Sequence, residues 1–210
     1  MKQVPYHGNP GNACALACYT MAAQYLLPEK HFTFEQLAKI TDWKKGYVVW
    51  GFKLWKYLMD QGIHVTDYDT FDYDGWVKEG VKGLKRTTPP KEFKFYLENT
   101  YDLEAESKLA KPMLEHPNFT YIRRKPTWDD VVSEFKKSGI CDVTLNGRLL
   151  HDRRGFTVHR VIVIDISDKE VVIHDPNSDW SGKYRHVPLP RFRDIFEAME
   201  EPELCRYFLS

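Results

Sequence analysis

Cys14 stands where a cysteine can become a nucleophile. In Asn9-Pro10-Gly11-Asn12-Ala13-Cys14, turn-forming residues lead straight into Ala13 to Leu27, a run of helix formers that Pro28 ends. Asn12 is the expected N-cap, which puts Cys14 in the first turn. There the unpaired backbone amides and the positive end of the helix dipole favour a thiolate. Cys18 lies one turn further in, where that field has decayed, and reads as a packing residue. Taken alone, both cysteines read equally well as small hydrophobes on a buried helix, so the case for chemistry depends on partners.

A thiolate nucleophile needs a base that takes up its proton and later protonates a leaving amine, and histidine does this near neutral pH. Of eight histidines, His159 heads the strand-like run His159-Arg160-Val161-Ile162-Val163-Ile164-Asp165. Asp175 follows the next such run, Val171 to His174, so two adjacent antiparallel strands would present a base and its orienting carboxylate side by side. Singly, these are a strand-edge histidine and a turn aspartate. With a dipole-activated cysteine they form a nucleophile, base and orienter in chain order. As a metal site, Cys14-x3-Cys18 with His7, His151 or His159 lacks the paired spacing of structural zinc centres, and no metal or cofactor is expected.

The elements that must position these groups divide the chain. The first half is helical: after the Cys14 helix comes a capped helix at Thr33 to Ile40, with Thr33 and Gln36 in capping-box spacing, then Trp50 to Gln61, stopped by Gly62. Thr127 to Phe135 is a further helix. Ile140 to Leu145, Thr157 to Asp165, Val171 to His174 and Leu204 to Leu209 read as strands, with a short helix near Arg191 to Met199. Helices first and antiparallel strands later predict an α+β domain. Asp67 to Lys125 mixes aromatics and charges around Pro89-Pro90, with a solvated helical stretch from Phe93 to Lys111. At 210 residues a single domain, 1–210, is expected, with 67–125 as an elaboration. The aromatic cluster Tyr47, Trp50, Phe52, Trp55 and Tyr57 reads as core plus one exposed flank.

Thirty basic and thirty acidic residues cancel, which gives no electrostatic case for nucleic acid or an anionic membrane surface. His151, Arg153, Arg154 and Arg160 could still form a local basic patch, and His151 to Arg154 reads as a solvated loop. No segment approaches the roughly 20 apolar residues of a membrane span. The N-terminus lacks the apolar core of a secretory signal, so a cytoplasmic product is expected unless a leader was removed. Four cysteines are too few for a disulfide framework and read as reduced thiols.

The stretch Val4-Pro5-Tyr6, Cys14, Ala17, Cys18 and Met21 resembles the nucleophile region of bacteriocin-processing (double-glycine leader) cysteine peptidases and their stand-alone relatives in the papain-like clan. Gly155 to Asp165 is similar to that family's histidine strand, and Val171 to Pro176 to its Asp-Pro strand end. The resemblance covers the chain except about Asp67 to Lys125. It implies a papain-like fold, a Cys14-His159-Asp175 triad and hydrolysis of a peptide or isopeptide amide in a peptide or protein substrate. Acyl transfer or glutamine deamidation with the same triad, and a retired binding module on the same fold, are the alternatives. The family's oxyanion glutamine is replaced by Asn9, with Asn12 a second candidate and the Cys14 amide a third contributor. The glycine after the nucleophile is Ala15.

Overall fold

The computed structural model describes residues 1–177 and 182–210. In chain order its helices are α1 (Cys14–Leu26), α2 (Phe34–Ile40), α3 (Phe52–Asp60), α4 (Tyr73–Glu79), α5 (Val81–Thr87), α6 (Pro90–Asn99), α7 (Leu103–Leu114), α8 (Trp128–Lys136), α9 (Gly147–Leu150) and α10 (Leu189–Glu197). The strands are β1 (His64–Asp69), β2 (Phe119–Arg123), β3 (Ile140–Asn146), β4 (Val158–Ile166), β5 (Glu170–His174), β6 (Arg185–Pro188) and β7 (Leu204–Phe208). They form one sheet in the order β2-β1-β7-β3-β4-β5-β6.

The fold is mixed α+β, and the sheet departs from a C-terminal antiparallel one at its far edge. There β1 and β2, from the first half and the middle of the chain, pair in parallel. The 67–125 region therefore contributes a sheet edge as well as α4 to α7. The expected single helix over Phe93 to Lys111 is two helices, because the Asp102 carboxylate accepts the Ala105 amide at 2.9 Å and starts a new one.

Alternation along β4 divides the core in two. Ile162 and Ile164 pack with the α1–α3 side, whereas Val161 and Val163 join Trp128 and Val131 of α8 and Phe192 and Phe196 of α10. Helix α1 is apolar nearly all round, with Leu16 to Ala23 buried, which is the pattern of a central helix rather than a surface one. Packing of α1 against β4 fixes where its N-terminus lies.

The N-terminal segment adds no strand to the sheet but is tied to it. The Lys2 amide donates to the Ile164 carbonyl at 3.1 Å, and His174 Nε2 lies 3.0 Å from the Val4 carbonyl. The Tyr184 amide donates to His174 Nδ1 at 3.0 Å, so the buried ring is neutral and structural. All four cysteines are free. Among the described residues no helix is long and apolar enough to cross a membrane.

Candidate active site

Cys14 is the first residue of α1, and its backbone N–H is one of the helix-end donors without an intrahelical acceptor. The N-cap is Ala13, not Asn12, and it makes no side-chain cap. The capping work falls to Asn9, whose Oδ1 accepts from the Gly11 amide at 2.9 Å and the Ala13 amide at 2.8 Å. That occupies the Asn9 carbonyl oxygen and leaves its Nδ2 as the free end in the cleft it lines with Cys14. Asn12 takes a left-handed backbone, φ 50°, and donates its Nδ2 to the Gly46 carbonyl at 2.7 Å, so its amide already has an acceptor.

His159 sits near the start of β4, opposite Leu145 of β3. Asp175 directly follows β5, β4's antiparallel neighbour, so both residues lie at the same end of that strand pair. His159 Nε2 lies 2.8 Å from Asp175 Oδ1, which assigns that nitrogen the proton and leaves Nδ1 for the Cys14 thiol in the cleft the two residues share. The Asp175 carboxylate is fully buried. It also accepts the Asn177 amide at 3.1 Å and Arg185 Nη1 at 2.9 Å, and it lies 3.0 Å from His151 Nε2.

Opposing forces set the charges. Burial pushes the Cys14 thiol up, but the hydrogen bond and charge of His159, aided by the Arg160 backbone, overcome it and hold the thiol below its ordinary value. Burial pulls His159 down, and its bonds to Asp175 and Cys14 reverse that and raise it to about 10. Burial pushes Asp175 up, yet the contacts with His159 bring it to about 2. The direction of all three shifts favours a thiolate–imidazolium pair backed by a carboxylate. Cys18 and Cys205 are pushed well above the thiol range and Cys141 to about 12, all by burial first, so Cys14 differs from every other thiol in the chain.

Two glycines make this arrangement possible. A Cβ on Gly147 would fall 2.7 Å from His159 Cβ, and one on Gly182 would fall 1.8 Å from the Asp175 carbonyl oxygen. The Asp175 amide donates to the Gly182 carbonyl at 2.9 Å.

His151 is half-buried and packs against Asp175 rather than sitting in a solvated loop. Arg160 is not part of a basic patch. It is buried, bonding Asp142 at 2.6 Å and pairing with Glu203. His151, His159 and Asp175 hold their donor atoms within 4.8 Å of one another, close enough for a metal ion. Arg185 Nη1, 3.1 Å from His151 Nδ1 and 2.9 Å from Asp175, puts a positive charge in that space and opposes a second cation. Neither Arg185, Gly147 nor Gly182 carries a motif that points to the site from sequence, since each matters only through a residue far away in the chain.

No family model matches the chain, and no curated protein matches it. Among solved structures, the fold is similar to the crystal structure of a double glycine motif protease from an AMS/PCAT transporter, in complex with the leader peptide. The TM-score is 0.50 at 12% sequence identity, over 100% of this chain and 94% of that one. At that identity the likeness is one of fold.

Proposed function

We propose that the protein is a cysteine peptidase acting on a peptide or isopeptide amide, with Cys14 as nucleophile, His159 as acid and base, and Asp175 as orienter. The observation that carries this is one imidazole that shares a cleft with the Cys14 thiol and is bonded to a fully buried carboxylate. A core histidine needs neither partner charged. The distant fold relationship to a cysteine protease agrees with it.

In this reading the Cys14 thiolate attacks the carbonyl carbon. Negative charge moves to the carbonyl oxygen, which the Cys14 N–H and the Asn9 Nδ2 receive at the dipole's positive end. The imidazolium gives its Nδ1 proton to the departing amine, leaving a thioester on Cys14. His159, now neutral, takes a proton from water as it attacks the thioester, and the carboxylic acid leaves with the thiolate restored. Asp175 keeps the ring oriented and stabilises the imidazolium throughout. Asn12 contributes less than Asn9, because Gly46 already holds its amide.

The test is digestion of a peptide library followed by mass spectrometry, with wild-type protein beside Cys14→Ala. Cleavage that Cys14→Ala abolishes supports the reading, and intact peptides with the wild type refute it. A second digestion with added primary amine separates hydrolysis from acyl transfer: amide products in place of acids would move the protein to the transferase class.

A further inference from the structure

Cys14 borders two cavities. One holds His159 and His151. The other, about 80 Å³, is lined by Cys14 together with the aromatic residues Trp50, Phe71, Tyr73 and Tyr96 and the carboxylates Asp69 and Glu203. At roughly 10–15 Å³ per water-sized centre it takes on the order of six heavy atoms in a row.

Its charges do not balance. Asp142 and Glu203 pair with Arg160, whose charge also acts on Asp67, while Asp69 is set against Glu203 and Asp67; Arg160 is the sole cation paired with any of the four among the described residues. Arg160 is used up on Asp142 and Glu203. Among the described residues Asp67 has only the Tyr73 hydroxyl at 3.2 Å and the Cys205 thiol at 3.3 Å. Asp69 is 6% exposed and lines the cavity; its Oδ1 accepts the Phe71 amide at 3.2 Å, and its other oxygen has no donor among the described residues. Burial holds the Asp67 and Asp69 carboxyls well above the usual range, the cost of two buried acids with no facing cation.

We infer that this cavity binds a cationic side chain of the substrate, of the lysine or arginine type, beside the bond that Cys14 attacks. The inference rests on the peptidase reading for its substrate and on the cavity for its charge. The cavity wall formed by Trp50, Phe71, Tyr73 and Tyr96 supplies aromatic surface for an aliphatic stem and a cation, and the unpartnered Asp69 oxygen accepts its N–H. A divalent metal on Asp67, Glu203 and Cys205, whose donor atoms also cluster, is opposed by Arg160 Nη1, 3.5 Å from the Cys205 sulfur.

The experiment has two arms. Peptides carrying lysine, arginine or norleucine at each position flanking the scissile bond are compared by kcat/KM. One position is expected to favour lysine or arginine over norleucine at least about tenfold, and Asp69→Asn to bring that ratio towards one. Independently of hydrolysis, full-length Cys14→Ala is titrated by calorimetry with n-butylammonium, with neutral 1-pentanol and with zinc ions. Saturable binding of the ammonium alone, lost in Cys14→Ala/Asp69→Asn, is the expected result. Peptide cleavage with no charge preference and no ammonium binding overturns the inference and leaves the peptidase reading intact. Ammonium binding without peptide cleavage keeps the cation cavity and removes the hydrolytic reading. A response to zinc alone overturns the inference.

Discussion

Replacing His159 should turn Cys14 from the most reactive thiol in the chain into an unreactive one. With the imidazole present, its hydrogen bond and charge outweigh burial and the thiol lies below its ordinary value near 9.0. In His159→Ala, or in the bulkier His159→Gln, burial is no longer opposed and the thiol moves above that value. An ordinary thiol at that value is only about 1% ionised at pH 7, so up to about a hundredfold of thiolate is lost. Part of that is offset, because each unit by which a thiol's pKa falls weakens its thiolate about threefold as a nucleophile. The net expectation is a 10- to 100-fold fall in the rate of iodoacetamide alkylation at pH 7. The assay is alkylation against pH, with the labelled peptide identified by mass spectrometry. Wild type should label at Cys14 well below pH 8, because burial keeps Cys18, Cys141 and Cys205 protonated. A second inflection is expected near pH 10, where His159 loses its proton. If either variant labels Cys14 at pH 7 as fast as wild type, the ion-pair reasoning is wrong.

Three further outcomes are expected. Asn9→Ala should lower kcat about 10²- to 10³-fold with a much smaller change in KM, as removal of an oxyanion donor does, and should cost about 1 kcal/mol of stability through the lost cap on Gly11 and Ala13; denaturant unfolding checks the second part. Gly147→Ala should displace the His159 ring, whose Cβ a new methyl would approach to 2.7 Å, and a shift approaching 1 Å lowers turnover about a hundredfold; unchanged steady-state kinetics would contradict this. Glu92, whose carboxyl burial raises from 4.5 to about 7, binds a proton in the folded state that the unfolded chain has already released. Stability should therefore decline as pH rises from about 4.5 to 7, by on the order of 2–3 kcal/mol, and Glu92→Gln should flatten that slope in urea unfolding at several pH values.

Local chemistry made part of this legible in the sequence. Turn residues ahead of a helix run located Cys14 at a helix start, and β-branched runs ended by His159's neighbours and by Asp175 located two strands, because helix ends and strand alternation are set by residues close together in the chain. The capping boxes at Thr33 and Thr127 formed for the same reason. The same local rules misplaced the cap itself: Asn12 is next to Ala13, but its backbone turns left-handed and its amide goes to Gly46, so Asn9 reaches past it to the Ala13 amide.

What the sequence by itself determined is which residue types could do acyl chemistry and the elements that carry them. Only the tertiary structure decided that they meet. The thiol's pKa is lowered by a ring 145 positions away, whose effect outweighs burial. The ring is charged because Asp175, held by Arg185 and the Gly182 carbonyl, is buried beside it. Arg160, one residue from His159, reads the same in a surface patch as in a core, and its role was set by Asp142 of β3 and Glu203 on the approach to β7, which pair with it. Pairwise electrostatics depends on distance and on exclusion of water, and neither is encoded in spacing along a chain.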